Sequence, residues 1–161
     1  MKWMLGMCML CWSLATIAAP SLDVQVQDAQ GQPVSLSEFN GKVVYLDFWA
    51  SWCGPCRKSF PWMAQMQAKY GSEGLVVVAV NLDPEQQDAA QFLSQLAGEG
   101  LNVNFAVRYD PEGKVARQFD LLGMPSSYIF NRRGELVAQH TGFFTAKEAA
   151  YEQQLADLLK E

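Results

Sequence analysis

Cys53 and Cys56, in Trp52-Cys53-Gly54-Pro55-Cys56, have the type and spacing for thiol chemistry. An apolar, β-favouring run leads into them (Val43, Val44, Tyr45, Leu46, then Phe48 and Trp49), and a helical pattern follows. Two thiols at a strand-to-helix join can meet in a tight ring. The first is expected half-exposed at the helix N-terminus, where unpaired backbone N–H groups and the helix dipole favour thiolate over thiol. Thiolate is the species that attacks disulfides, so the placement makes Cys53 the nucleophile and Cys56, one turn inside, the shielded resolving thiol. A zinc half-site would need two more ligands, and outside the motif the chain offers His140 plus Cys8 and Cys11 near its start. A structural disulfide needs neither Gly-Pro between its cysteines nor a long apolar strand before them. The flanking elements support the redox reading.

The thiols need a scaffold. At 161 residues, 50% of them apolar, the chain is one domain large enough to bury a core without staples. Formal charge is −5 with no basic run, which argues against nucleic acid or an anionic membrane surface as partner. The opening segment has Lys2, an uncharged apolar stretch from Trp3 to about Ile17, then Ala18-Ala19-Pro20. It reads as a signal peptide over residues 1–19, cleaved after Ala18 or Ala19, ahead of a domain over residues 20–161. An uncleaved membrane anchor is the alternative, since the stretch is close to the roughly 17-residue lower limit for a span. A lipoprotein fits less well, because neither Cys8 nor Cys11 follows the small residues of a lipidation box. All three readings place the domain outside the cytoplasm. Cys8-Met9-Leu10-Cys11 lies inside the apolar stretch and reads as coincidence, which leaves Cys53 and Cys56 as the only thiols of a mature, exported chain.

Further along, Asp23 to Gln27 alternates as an edge strand would, and Ala29-Gln30-Gly31-Gln32-Pro33 is a turn. Ser35 with Glu38 forms a capping-box pattern for a single helical turn. The helix after the thiols runs from Pro55 to about Tyr70 and stops at Gly71, with Phe60, Met63, Met66, Gln67 and Tyr70 on its inner face and a kink at Pro61. Trp62 is left open between a surface aromatic and a partner contact. Leu75 to Val80 is a continuous apolar run, as in a parallel strand covered on both faces. Pro84 to about Leu96 reads as a helix capped by Asp83. Val103 to Val107 reads as a short strand, and Gly113 to Phe119 as a short helix. Ser127 to Phe130 and Glu135 to His140 are strands joined by a hairpin at Asn131-Arg132-Arg133-Gly134. Ala146 to Lys160 is a closing helix, capped by Thr145, with Ala149, Ala150, Leu155, Leu158 and Leu159 on its apolar side. The sum is a mixed α/β sheet.

Asp47 stands inside the apolar strand. Desolvation there should raise its pKa and make it a base for the Cys56 thiol; the alternatives are a carboxylate on the solvated face of the strand or a local hydrogen-bond acceptor. His140, alone on its strand, reads as satisfied or exposed.

Leu46-Asp47-Phe48-Trp49-Ala50 followed by Trp52-Cys53-Gly54-Pro55-Cys56 resembles the active-site signature of thioredoxins, and Gly123-Met124-Pro125-Ser126 resembles the Gly-x-Pro loop of that fold. Gly41-Lys42 before the strand, Ala79-Val80-Asn81-Leu82-Asp83 and an extra helical stretch before the loop are similar to the exported, TlpA/ResA-type branch. The resemblance covers about Leu22 to Leu159. It implies a thioredoxin fold: a mixed central sheet flanked by helices, with an N-terminal hairpin extension and a central helical insertion. It implies a thiol:disulfide oxidoreductase whose redox centre is the Cys53–Cys56 disulfide, with no other cofactor and no metal, and with Asp47 in the place of the buried aspartate. It makes Pro125 a candidate cis proline beside the thiols, where a missing N–H leaves the backbone of Met124 open to an extended substrate. Trp52, Gly54 and Pro55 would complete the substrate surface. The lysine that faces the aspartate in cytosolic thioredoxins is absent, because its position is Ala79. Asp83 or Glu85 could present a carboxylate near the thiols, as in some exported members, although an N-terminal helix cap is the simpler reading.

The branch implies work in the periplasm or on the outer side of a bacterial cell membrane. There the protein would reduce exported clients such as apocytochrome c, recharged by a membrane electron donor of the DsbD/CcdA type. Gly-Pro between the cysteines, without the histidine of strong oxidants, favours the reductant. A periplasmic oxidase or isomerase is the nearest rival. A Sco-type metallochaperone would need cysteines three residues apart, and a peroxiredoxin-like peroxidase would need a threonine where Ala50 stands.

Overall fold

The computed structural model describes residues 19–161. The leader expected over residues 1–19, with Lys2, Cys8 and Cys11, lies outside the described residues except for Ala19. Among the described residues no helix is long and apolar enough to cross a membrane.

The chain runs β1 (Gln25–Gln27), β2 (Pro33–Ser35), β3 (Val43–Trp49), α1 (Cys56–Tyr70), β4 (Leu75–Asn81), α2 (Gln86–Gly98), β5 (Ala106–Tyr109), α3 (Lys114–Gln118), β6 (Ser126–Phe130), β7 (Leu136–Thr141) and α4 (Glu148–Leu159). The strands form one sheet in the order β2-β1-β5-β4-β3-β6-β7. β3, β4 and β5 are parallel, with helical crossovers, whereas β6 and β7 form an antiparallel hairpin on the other side of β3. This is the expected mixed sheet with its N-terminal hairpin, β1–β2.

β3 is buried at every position, as a central strand covered on both faces must be. Alternation then divides its side chains. Val43, Tyr45 and Trp49 enter a core built with Phe60, Trp62 and Met63 of α1, Phe92 and Leu96 of α2, and Tyr151 and Leu155 of α4. Val44, Leu46 and Phe48 enter a second core with Leu22, Val24, Val26, Leu36, Phe119 and Tyr128. Both cysteines belong to the first core. α1 is one continuous helix through Pro61 and ends at Gly71, as the sequence predicts.

Several expectations are corrected. β1 is not an edge: it pairs with β2 on one side and β5 on the other, and the edge falls to β2, which opens on a proline that has no N–H to expose. Only half of the capping box forms. Ser35 Oγ accepts from the Ser37 amide at 3.2 Å, while Glu38 reaches Arg108 at 2.9 Å. β5 starts three residues later than expected. The side-chain amide of Gln67 accepts from the Val77 amide and donates to the Leu75 carbonyl, so the first half of β4 has no free edge for β5 to pair with. Trp62 is buried, edge-on to Tyr45 at 5.3 Å and to Tyr151 at 6.0 Å. In α4, Tyr151 and Leu155 are buried while Ala149 and Ala150 are exposed; the helix is preceded by a 3-10 turn, Thr145–Lys147, whose N-cap is Phe144, so Thr145 caps nothing.

Candidate active site

β3 ends at Trp49, and the chain turns back on itself before α1 begins. The turn is tied by Cys53 N–H to Ala50 C=O (3.0 Å) and Cys56 N–H to Cys53 C=O (3.1 Å). Cys53 and Cys56 are joined as a disulfide, and the Cys56 amide, the first of α1, points at Cys53 Sγ from 3.3 Å. A helix of fifteen residues thus opens its positive end onto the first sulfur, which is the arrangement that stabilises a thiolate there. Cys53 is more enclosed than the half-exposure expected, at 5% exposed against 0% for Cys56. Around it Trp52, 72% exposed, Gly54 and Pro55 are open to solvent.

The other wall comes from β6. Its register sets Ser126 opposite Phe48, so Pro125 falls level with Trp49, at the end of β3 where the thiols lie. The Met124–Pro125 bond is cis, as expected. Met124 packs against the core that holds both cysteines, and Leu122 before it is 89% exposed.

Asp47 lies two residues before Trp49 and so shares its face, the one that α1 covers. It is buried, not on a solvated face, and among the described residues its Oδ2 has no hydrogen-bond partner. Burial pushes its carboxyl well above the usual carboxylate range. Its neighbour on β4 is Ala79 and on β6 Ser127. No cation faces it from either strand. The Tyr45 hydroxyl on the same face is also driven up, first by burial and then by the charge of Asp47.

Asp83 overturns its expected role. It neither caps α2, whose N-cap is Glu85, nor reaches the surface. It accepts from Ser51 N–H (2.9 Å), Ser51 Oγ–H (3.0 Å) and Asn81 Nδ2–H (2.8 Å), and so clamps the loop that carries Trp52 and Cys53 to the end of β4. The sequence marks no role for Ser51, and Asn81 stands out there only within the branch-like Ala79-Val80-Asn81-Leu82-Asp83, an Asn-x-Asp after an apolar run. Glu85 is exposed. Arg57, next to Cys56, is held by Glu99 (2.9 Å) and Gln95 (3.0 Å), with its guanidinium over the Phe92 ring. Its charge is engaged on α2. Among the described residues no group of three or more His, Cys, Asp or Glu could hold a metal ion.

With this geometry in view, the comparisons fall into one line. The model of the redoxin family matches residues 16–155. This chain belongs to that family. It is 33% identical over 120 residues to the thiol-disulfide oxidoreductase ResA of Bacillus subtilis, covering 74% of this chain and 64% of that relative, so the chain spans just under two thirds of it. The crystal structure of a thiol:disulfide interchange protein DsbE from Chlorobium tepidum superposes with a TM-score of 0.80 at 48% identity, covering 88% of this chain and 96% of that one. StoA of Bacillus subtilis, at 24% identity and a TM-score of 0.64 over 83% of this chain and 99% of its own, shares the fold. Within the redoxins the chain is thus one of the thioredoxin-superfamily thiol:disulfide oxidoreductases of the ResA/TlpA type.

Proposed function

We propose that the chain is an exported disulfide reductant working through Cys53 and Cys56 in the periplasm, after export on a leader over residues 1–19. The Cys53 thiolate attacks a client disulfide, one client thiol leaves, and a mixed disulfide forms. Cys56, deprotonated by Asp47, then attacks Cys53 Sγ, releasing the second client thiol and leaving Cys53–Cys56 oxidised. Two electrons from a membrane donor of the DsbD/CcdA type would reset the pair. Trp52, Gly54, Pro55, Met124 and Pro125 form the surface on which an extended client segment, such as that of an apocytochrome c, would lie.

The observation that carries the direction is what surrounds Cys53. One helix N-terminus faces it, the intervening residues are Gly-Pro, and Arg57 is held away by Glu99 and Gln95. A strongly stabilised thiolate makes an oxidant, and no further stabilising charge is supplied here. The couple should therefore lie in the reducing half of the interval between about −120 mV for a strong oxidant and about −270 mV for thioredoxin, below roughly −200 mV. Equilibration against a glutathione or dithiothreitol series measures it, and a value near the oxidant end would reverse the direction while leaving the thiol roles in place. A Cys56→Ser variant should trap clients on Cys53.

A further inference from the structure

Asp47 is sealed from water, 1% exposed, so any proton it takes from Cys56 must leave through a neighbour. β4 offers Ala79, which carries no proton. On β3 itself the Tyr45 hydroxyl, which also bonds the Ser127 side chain, is as deeply buried and is held protonated, so it passes no proton outward. α1 brings Cys56, the proton's origin. β6 offers Ser127, directly opposite Asp47, and directly opposite Ser127 on the edge strand β7 is His140. Paired residues share a face, so the three form a row across the sheet.

That row leads outward. Ser127 is buried, and its Oγ lies 3.4 Å from His140 Nδ1. His140 is half-buried, and its ring packs on Tyr151 of α4 with centroids 4.6 Å apart. We propose that Ser127 and His140 are the proton path between Asp47 and solvent, His140 being the group that exchanges with water. This rests on Asp47 acting as the base for Cys56.

The step balances without a redox partner. Cys56 gives its proton to the Asp47 carboxylate. The carboxylic acid passes it to Ser127 Oγ as the Ser127 hydroxyl proton moves to His140 Nδ1, and His140 Nε2–H is released to water. The ring, left as the Nδ1–H tautomer, returns through solvent. A serine hydroxyl donates once and accepts twice, and opposed Cβ atoms about 5 Å apart let one rotation of χ1 carry it between the two partners. Among the described residues His140 meets no carboxylate: the groups facing it are Ser127 from β6, Tyr151 and Gln154 from α4, and Lys147 just before α4. Burial, the largest influence, and the Lys147 charge both lower its pKa, against a raising bond from Gln154, so it stands neutral and able to accept.

Reaction of the reduced protein with Ellman's reagent separates the two thiols. Attack by Cys53 scales with reagent, whereas attack by Cys56 on the resulting mixed disulfide is concentration-independent. A proton that stays on Asp47 is handed back to the Cys56 thiolate, so His140→Gln and Ser127→Val should each lower the ratio of the second rate to the first by about tenfold near pH 7 and erase the histidine inflection from its pH profile. Ser127→Thr, equal in shape to valine but keeping the hydroxyl, should restore the ratio. On an Asp47→Asn background His140→Gln should change nothing more. The relay is overturned if Thr and Val behave alike at position 127, or if His140→Gln costs the same with and without Asp47. If Asp47→Asn alone leaves the ratio at its starting value, the base assignment fails first and takes the relay with it.

Discussion

Two buried aspartates, one inside the sheet and one just past the end of a strand, show how differently the same side chain can be housed. Asp110 follows β5, and its carboxylate accepts the backbone amides of Lys114, Val115 and Ala116, each at 2.9 Å. It is the cap of α3, a helix that starts from Gly113 at φ +64°. Asp47, in the middle of β3, has an Oδ2 with no partner among the described residues. Burial raises both carboxyls, but at Asp110 three amide donors and Arg117 pull against it. One aspartate holds structure together. The other, under the proposed function, is the one that changes its proton.

The sharpest break in that comparison is kinetic. Asp47→Asn should slow Cys56's attack roughly 100-fold near neutral pH, while Asp110→Asn stays within about twofold, read from the concentration-independent phase of the thiol reaction. Equal losses would show that Asp47 acts only through folding. Next comes stability, where the order inverts. Asp110→Ala strips three amides of their acceptor and should cost about 1–2 kcal/mol in urea unfolding. A smaller effect distinguishes the two in pH. Because the folded-state pKa of Asp47 is raised, its contribution to stability is complete below the unfolded value near 3.9 and is lost as pH rises through the folded one. Stability of the parent protein should therefore fall over that rise, and Asp47→Asn should flatten the fall, gaining most on the parent at the highest pH. A variant that tracks the parent at every pH contradicts the burial argument. Smallest of all, Glu38→Ala breaks an ion pair with Arg108 near the surface and should cost less than about 1 kcal/mol.

The legibility of these residues in the sequence follows their surroundings. Cys56 and Asp47 could be placed because each sits on a helix or strand whose periodicity fixes its face, and Cys53 because its spacing sets it just ahead of that helix. The cis bond before Pro125 could be expected from its motif. Asp83 and Asp110 could not be sorted so easily. Each is an aspartate between an apolar strand and a helix, which is the pattern of an N-cap, yet only Asp110 caps, and it does so from four residues before α3 begins. Asp83 instead finds Ser51, thirty-two residues away in sequence, and no local pattern announces a partner at that separation. Trp62 and Tyr151 bury each other, so neither helix taken alone reveals the contact. The row from Asp47 through Ser127 to His140 needs the register of three strands, information that exists once the chain has folded.

Gln67 has a consequence beyond delaying β5. A strand with free N–H and C=O groups along one side is an invitation for another chain to add itself there. Between Leu75 and Val77 a single carboxamide from α1 stands in for a missing neighbour, offering one donor and one acceptor as a peptide unit would. The protein thus carries its own plug for the gap. Gln67→Ala would open that gap to passing polypeptide, in a protein proposed to meet extended chains.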